Sequence, residues 1–171
     1  MKIERGYKLR NDLTLYKTYN ISFGIYPDTF EVDEWKNIIH LTSTNSHCCN
    51  PGDRIVAVWT DNGGEANSSS FNIWNEINGN PQFVTRTKKY SSKKWINFVI
   101  AQVLRNRKYF LTITVNSELL REVENTQPQV FENVIAYASN EHNKPLNGRI
   151  RNMKIETGEH IQFLLSYACK R

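Results

Sequence analysis

Between Trp95 and Gly158 the side chains change character at nearly every second position, and no other feature of the chain narrows its fold so far. Tyr109, Leu111, Ile113 and Val115 alternate with Phe110, Thr112, Thr114 and Asn116. Successive side chains of a strand point to opposite faces, so this period of two predicts a strand with one face on a core. Asn116-Ser117 falls where a tight reversal is needed, and Asn tolerates the left-handed backbone of such turns. Residues 118–124 then read as the return arm of a hairpin. Pro128 separates them from a strand over 130–139, and Gly148 opens another over 148–158. Consecutive hairpins of this kind build antiparallel sheets.

The rest of the chain is punctuated in the same way. Residues 7–10 predict a short edge strand. Over 16–26, Tyr19, Ile21, Phe23 and Ile25 alternate with Asn20, Ser22 and Gly24 until Pro27-Asp28 stops the run. Residues 35–42 form a third apolar run. Residues 55–59 are apolar on both faces, which predicts a central strand covered on both sides. After the turn signal Asp61-Asn62-Gly63-Gly64, residues 65–70 read as a flexible loop. Strands over 71–75 and 82–87 flank the turn Asn78-Gly79-Asn80-Pro81, and 160–167 predict a last strand. Strands spaced about 8–12 residues apart, with turn signals between them, predict an all-β sandwich. A chain of 171 residues is expected to form a single domain over 1–171, with its core in 7–168.

Charge and cysteine usage bound the partners. Lys and Arg number 22 against 17 acids, a net charge of +5 that permits acidic glycans, anionic surfaces or nucleic acid. No nucleic-acid motif accompanies it, so nucleic acid is not the expected partner. No run of eighteen apolar residues exists, so no membrane span is expected. Met1 leads straight into mixed residues, which implies either an intracellular protein or a mature domain whose leader has been removed. Two readings of the cysteines stand. Cys48, Cys49 and Cys169 are idle thiols, or one of the adjacent pair bonds Cys169 in an oxidising compartment. Adjacent ligands lack the spacing of a zinc site. Asn20 and Asn67 each open a glycosylation sequon.

Several strings resemble a known architecture. Trp95 opening a strand, the hairpin after it, and the closing Gly148-Arg149-Ile150-Arg151-Asn152-Met153-Lys154-Ile155 look like the second half of laminin-G-like and concanavalin A-like domains. His40-Leu41-Thr42, the string from Cys48-Cys49 through Gly52-Asp53-Arg54 to Trp59, Asn78-Gly79-Asn80 and Glu124-Asn125-Thr126-Gln127-Pro128 resemble an uncharacterised group of animal extracellular domains. The resemblance covers roughly residues 7–157. It implies a jelly-roll β-sandwich, secretion or display at the cell surface, and a binding or adhesive role. Arg149 stands where the last laminin-G strand often carries a cysteine, and the cysteines expected around 71–83 are missing.

Candidate sites follow from side-chain chemistry. Glu31 and Asp33 would share one strand face, as a hydrolase nucleophile and its helper do, but Trp35 and Lys36 occupy the positions of the third carboxylate. No catalytic residue is therefore assigned. Asp53, Asp61 and Asn62 are candidate calcium ligands, with Asn140, Glu141 and Asn143 offering oxygens in another loop. Asp53-Arg54 also reads as a local ion pair at a strand start. The leading expectation is glycan binding. Trp74 with Asn72, Asn75 and Glu76 would lie on an outer face, because Phe71 and Ile73 take the inner one. Arg86, Lys88, Lys89, Lys93 and Lys94 would add contacts to a sulfated or otherwise acidic glycan. The competing class is an adhesion module that meets a cell-surface or extracellular-matrix protein through an apolar patch or an open strand edge.

Overall fold

The computed structural model describes residues 1–158 apart from Asp33, residues 62–64 and Ala66. The strands among these residues are β1 (Tyr7–Leu15), β2 (Tyr19–Pro27), β3 (Asn37–Thr42), β4 (Val56–Thr60), β5 (Ser68–Ser69), β6 (Phe71–Ile77), β7 (Asn80–Arg86), β8 (Tyr90–Ser91), β9 (Ile96–Arg105), β10 (Lys108–Val115), β11 (Glu118–Asn125), β12 (Phe131–Ala138) and β13 (Gly148–Thr157). They form a six-stranded sheet in the order β1-β12-β3-β4-β6-β7 and a five-stranded sheet in the order β11-β10-β9-β2-β13. All strand pairs are antiparallel.

The period of two explains how the layers close. Ile21, Phe23 and Ile25 of β2 lie opposite Ile100, Phe98 and Ile96 of β9, and β10 sets Ile113 and Val115 against Ile100 and Phe98. All these side chains are buried. Phe23 stacks on Phe98 at 5.1 Å, and Phe98 meets Phe71 of the other sheet edge-on at 5.3 Å. That contact joins the inner faces of the two layers. Aromatic pairs in offset or edge-on geometry add roughly 0.5–1.5 kcal/mol beyond the area they bury.

Turns and bulges follow the residues able to take positive φ. Asn106-Arg107, Asn116-Ser117 and Asn78-Gly79 all have positive φ and close the β9–β10, β10–β11 and β6–β7 hairpins, as two-residue turns of this type require. Asn152, at φ 50°, sits where the β13–β2 register shifts between Arg151 and Lys154, the mark of a bulge.

β4 is buried throughout and lies between β3 and β6, as its two-sided apolar character implied. The stretch 65–70, expected to be a loop, contains β5, which pairs with β8 inside the lysine-rich connector over 88–94. Both pieces are short and polar, so neither shows a period of its own. The strand expected over 160–167 lies outside the described residues, as does Cys169. Among the described residues no helix is long and apolar enough to cross a membrane.

Candidate functional site

Strand pairing sets a line of side chains across the outer face of the six-stranded sheet. Tyr137, His40, Ala57, Trp74 and Val84 follow one another from β12 to β7. A second line runs from Trp59 through Asn72 to Arg86. Residues directly opposite in adjacent strands share a face, so His40, Trp59, Asn72 and Trp74 form one surface. Trp35 packs edge-on against Trp59 at 6.3 Å and is 38% exposed.

The polar loop 43–54 folds over part of this surface, and the sheet supplies its tethers. His40 donates from Nε2 to the carbonyls of Asp53 (2.7 Å) and Ser46 (3.2 Å), while its Nδ1 accepts from Asn140 at 3.2 Å. That pattern fits the neutral ring. Burial, with smaller contributions from the Arg54 and His47 charges, holds His40 down to about 4 despite its bonds to the two carbonyls. The Tyr137 hydroxyl donates to Asn45 Oδ1 at 2.5 Å, and Glu76 Oε2 accepts from the Gly52 N–H at 2.6 Å. Gly52 has φ +84°, and a Cβ there would lie 2.5 Å from Ser43 Oγ. The turn therefore requires glycine.

The loop delivers Arg54 to the surface. Its guanidinium carbon lies 4.6 Å from both the Trp59 and the Trp74 ring, and its Nε donates to the His47 carbonyl at 2.7 Å. Arg54 is only 6% exposed and forms no salt bridge among the described residues. Removing a charge from water costs several kcal/mol, and each cation–π contact returns roughly 0.5–2 kcal/mol. Burial accordingly lowers the Arg54 pKa, against the opposing pull of the Asp53 charge. Beside it, Trp59 Nε1, Trp74 Nε1 and Asn72 Nδ2 are enclosed without a hydrogen-bond partner. His47 and His142 stack at 4.9 Å at the edge of the loop.

The sequence-derived candidates divide accordingly. Asn72, Trp74 and Arg86 lie together on this face. Asn75 does not. It faces Val56 and Phe83 on the core side and is fully buried; alternation from Phe71 and Ile73 sends it inward. Arg86 pairs with Asp61, Lys88 with Glu118, and Lys89 with Glu65. Lys93 and Lys94 are exposed before β9. Asp53 and Arg54 make no ion pair with each other. The Asp53 carboxylate turns back into its own loop, accepting from the Thr44 hydroxyl (2.5 Å) and the Asn50 N–H (2.8 Å), while Arg54 turns over the sheet.

Asp53 and Asp61 sit at opposite ends of β4 with their carboxylates engaged, and Asn62 lies outside the described residues. The Asn140 side-chain oxygen accepts from the N–H groups of His142 and Asn143. Among the described residues no three His, Cys, Asp or Glu side chains converge on a metal position. Cys48 and Cys49 are joined to each other, and a bond to Cys169 falls outside the described residues. Glu31 pairs with the buried Lys36 at 2.5 Å, and Asp33 lies outside the described residues. Asn67 is exposed. Asn20 is half-buried and donates from Nδ2 to Glu156 at 2.9 Å. A groove of about 330 Å³ lined by Tyr16, Lys17, Tyr109 and Val130 shares no residue with the aromatic face.

Arg54, Trp59 and His40 were missed as site residues by sequence reasoning. A signal existed in the string from Gly52 to Trp59, where an arginine five residues before a tryptophan precedes a strand apolar on both faces.

No protein-family model and no curated protein matches the chain. Solved structures do resemble it. Domain 4 of AbnA, an extracellular GH43 arabinanase from Geobacillus stearothermophilus solved with arabinotriose, matches with a TM-score of 0.55 at 13% identity, covering 88% of this chain and 66% of that one. An alginate lyase from Pseudomonas aeruginosa matches at 0.54 and 9% identity, covering 84% and 68%. The PL7 alginate lyase AlyA1 from Zobellia galactanivorans matches at 0.53 and 12% identity, covering 85% and 65%. The chain thus spans about two thirds of the length of each. At these identities the likeness shows the fold alone: an antiparallel jelly-roll β-sandwich. The likeness to animal extracellular domains drawn from sequence strings gains no support from these structures.

Proposed function

We propose that the protein is a non-catalytic carbohydrate-recognition module working outside the cell, and that it binds sugar on the outer face of the six-stranded sheet. One observation carries this reading. Trp59, Trp74 and Asn72 present three unmatched donors on one face, beside indole rings that reach the surface at Trp74 and Trp35. Sugar rings offer apolar faces that stack on indole and oxygens that accept from N–H groups. An unmatched buried donor costs roughly 1–3 kcal/mol, and a ligand that satisfies it recovers part of that. The donors are enclosed, so the sugar stacks on the exposed ring surface first and meets them only as neighbouring side chains move. The fold likeness to a domain solved with arabinotriose supports the same reading. The Lys36 contact that occupies Glu31 supports a binding role over hydrolysis.

The test is a glycan array followed by calorimetry on the hits. Trp74→Ala is expected to weaken binding at least tenfold while leaving the fold intact by circular dichroism. An array silent for neutral and acidic sugars alike would overturn the reading in favour of a protein partner. Turnover of any polysaccharide in a hydrolase and lyase panel would overturn its non-catalytic part.

A further inference from the structure

We infer that the sugar taken by this face carries an anionic group, a carboxylate or a sulfate, and that the Arg54 guanidinium clamped between Trp59 and Trp74 receives it. The inference rests on the carbohydrate reading above and names its ligand class.

Three features of the face lead there. First, Arg54 is a buried cation with no salt bridge among the described residues, held by two rings and one carbonyl. Stacking fixes the guanidinium plane and leaves its edge for the paired N–H groups that suit carboxylate and sulfate oxygens. The Nη nitrogens find no partner among the described residues, yet they are not among the enclosed unmatched atoms of the face. That edge is therefore open to a ligand. Second, the enclosed unmatched atoms around Arg54 are nitrogens, two indole N–H groups and the Asn72 amide nitrogen, with the Asn72 side-chain oxygen the acceptor that accompanies them. A hydroxyl both donates and accepts, whereas a carboxylate or sulfate oxygen only accepts. Two indole N–H groups, an amide nitrogen and the guanidinium edge outnumber that one acceptor, which favours the second kind. Third, Lys88 and Lys89 are paired with Glu118 and Glu65, and Arg86 with Asp61, which leaves Lys93 and Lys94, just before β9, as the cations without a salt bridge among the described residues of that stretch. Selectivity for an anion on this face would then come from Arg54 rather than from the lysine-rich connector.

The experiment compares matched ligands by calorimetry: trigalacturonic acid against its methyl ester for a carboxylate, and sulfated against plain dextran oligosaccharide for a sulfate. Each is titrated into the wild type, Arg54→Gln and the quadruple variant Lys88→Gln, Lys89→Gln, Lys93→Gln, Lys94→Gln. The wild type is expected to prefer one acidic ligand over its neutral match by tenfold or more. Arg54→Gln should erase that preference while neutral binding persists, and the quadruple variant should retain it. The pair that shows the preference tells carboxylate from sulfate. Equal affinity for acid and neutral forms overturns the inference and leaves the carbohydrate reading standing. Binding of no sugar at all overturns the reading and the inference with it. A preference lost in the lysine variant but kept in Arg54→Gln overturns the assignment to Arg54. Should Arg54→Gln not fold, the wild-type ratio and the lysine variant still decide.

Discussion

On the outer face of the six-stranded sheet, Arg54 lies beneath a loop between Trp59 and Trp74, each 4.6 Å away. On the outer face of the five-stranded sheet, Arg149 lies over Tyr26 at 4.4 Å and Arg151 over Trp95 at 3.9 Å, both exposed. The chemistry is the same and the consequence differs. In the open pair, water reaches the guanidinium edges, Arg149 also meets Asp28 at 3.3 Å, and the two aromatic rings pack at 5.4 Å. An exposed stack of this kind is worth roughly 0.5–1 kcal/mol and leaves nothing unmatched. The covered arginine has lost most of its water, keeps only an open edge, and gains no salt bridge among the described residues. Arginine on an aromatic ring is therefore a resting surface at Arg149 and Arg151 and an unfinished contact at Arg54. The loop that separates the two cases is where the comparison breaks most readily.

The largest effect is expected at Gly52. A Cβ there would lie 2.5 Å from Ser43 Oγ and 3.1 Å from Thr44 Cγ2, on a backbone at φ +84°. Left-handed strain and the clash together are expected to remove about 3 kcal/mol from Gly52→Ala, measured by urea unfolding. The same variant should lose sugar binding, because its loop carries Arg54. Full stability in Gly52→Ala would mean that the turn is not held as described.

A smaller effect is expected from pH. His40 is depressed to about 4 in the folded chain against 6.5 for an ordinary histidine, chiefly by burial. Between those values the unfolded chain binds the proton that the folded chain refuses, so stability rises with pH across the window. It is complete above pH 6.5 and falls away as pH drops toward 4, by roughly 3 kcal/mol at most. Burial also lowers His47, which adds to the loss with the same sign. Urea midpoints from pH 7 to pH 4 for the wild type and His40→Gln test this. The variant should show the shallower slope, and parallel slopes would remove His40 from the account.

The open face was more legible in the chain than the covered one. Alternation over residues 109–116 and the turn at Asn116-Ser117 are local signals, and β10 and β11 follow them closely. Glu118–Asn125 is the return arm that the hairpin reading required. Trp74 and Asn72 were also placed on an outer face correctly, because one strand's alternation decides that. The covering loop was not legible. Its composition marks residues 43–52 as a polar loop with Asp53-Arg54 opening the next strand, but its position is set by His40 on β3, Glu76 on β6 and Tyr137 on β12. Those tethers are scattered through the sequence, and no local period connects them. Arg54 was hidden for the same reason. Beside Asp53 it reads as half of an ion pair, and only the fold shows that the two side chains part.

The smallest effect is expected at Gly24, the open-face counterpart of Gly52. Gly24 lies opposite Arg151 on β13 and Asn97 on β9. Its missing side chain lets Arg151 lie flat toward Trp95. A Cβ there would meet Asn97 Oδ1 at 2.9 Å and the Arg151 Cγ and Nε at 3.2 Å. These are distal side-chain atoms of exposed residues, and they can move aside into solvent. The backbone at Gly24 has no positive φ, so alanine adds no strain there and restricts the unfolded chain, a gain of roughly 0.4–1 kcal/mol. Loss of the Arg151 stack offsets a similar amount. Gly24→Ala should therefore stay within about 1 kcal/mol of wild type and bind sugar unchanged, while its Trp95 fluorescence shifts as Arg151 leaves the ring. A destabilisation matching that of Gly52→Ala would show that the open face is as tightly constrained as the covered one, and the contrast between the two arginine environments would lose its meaning.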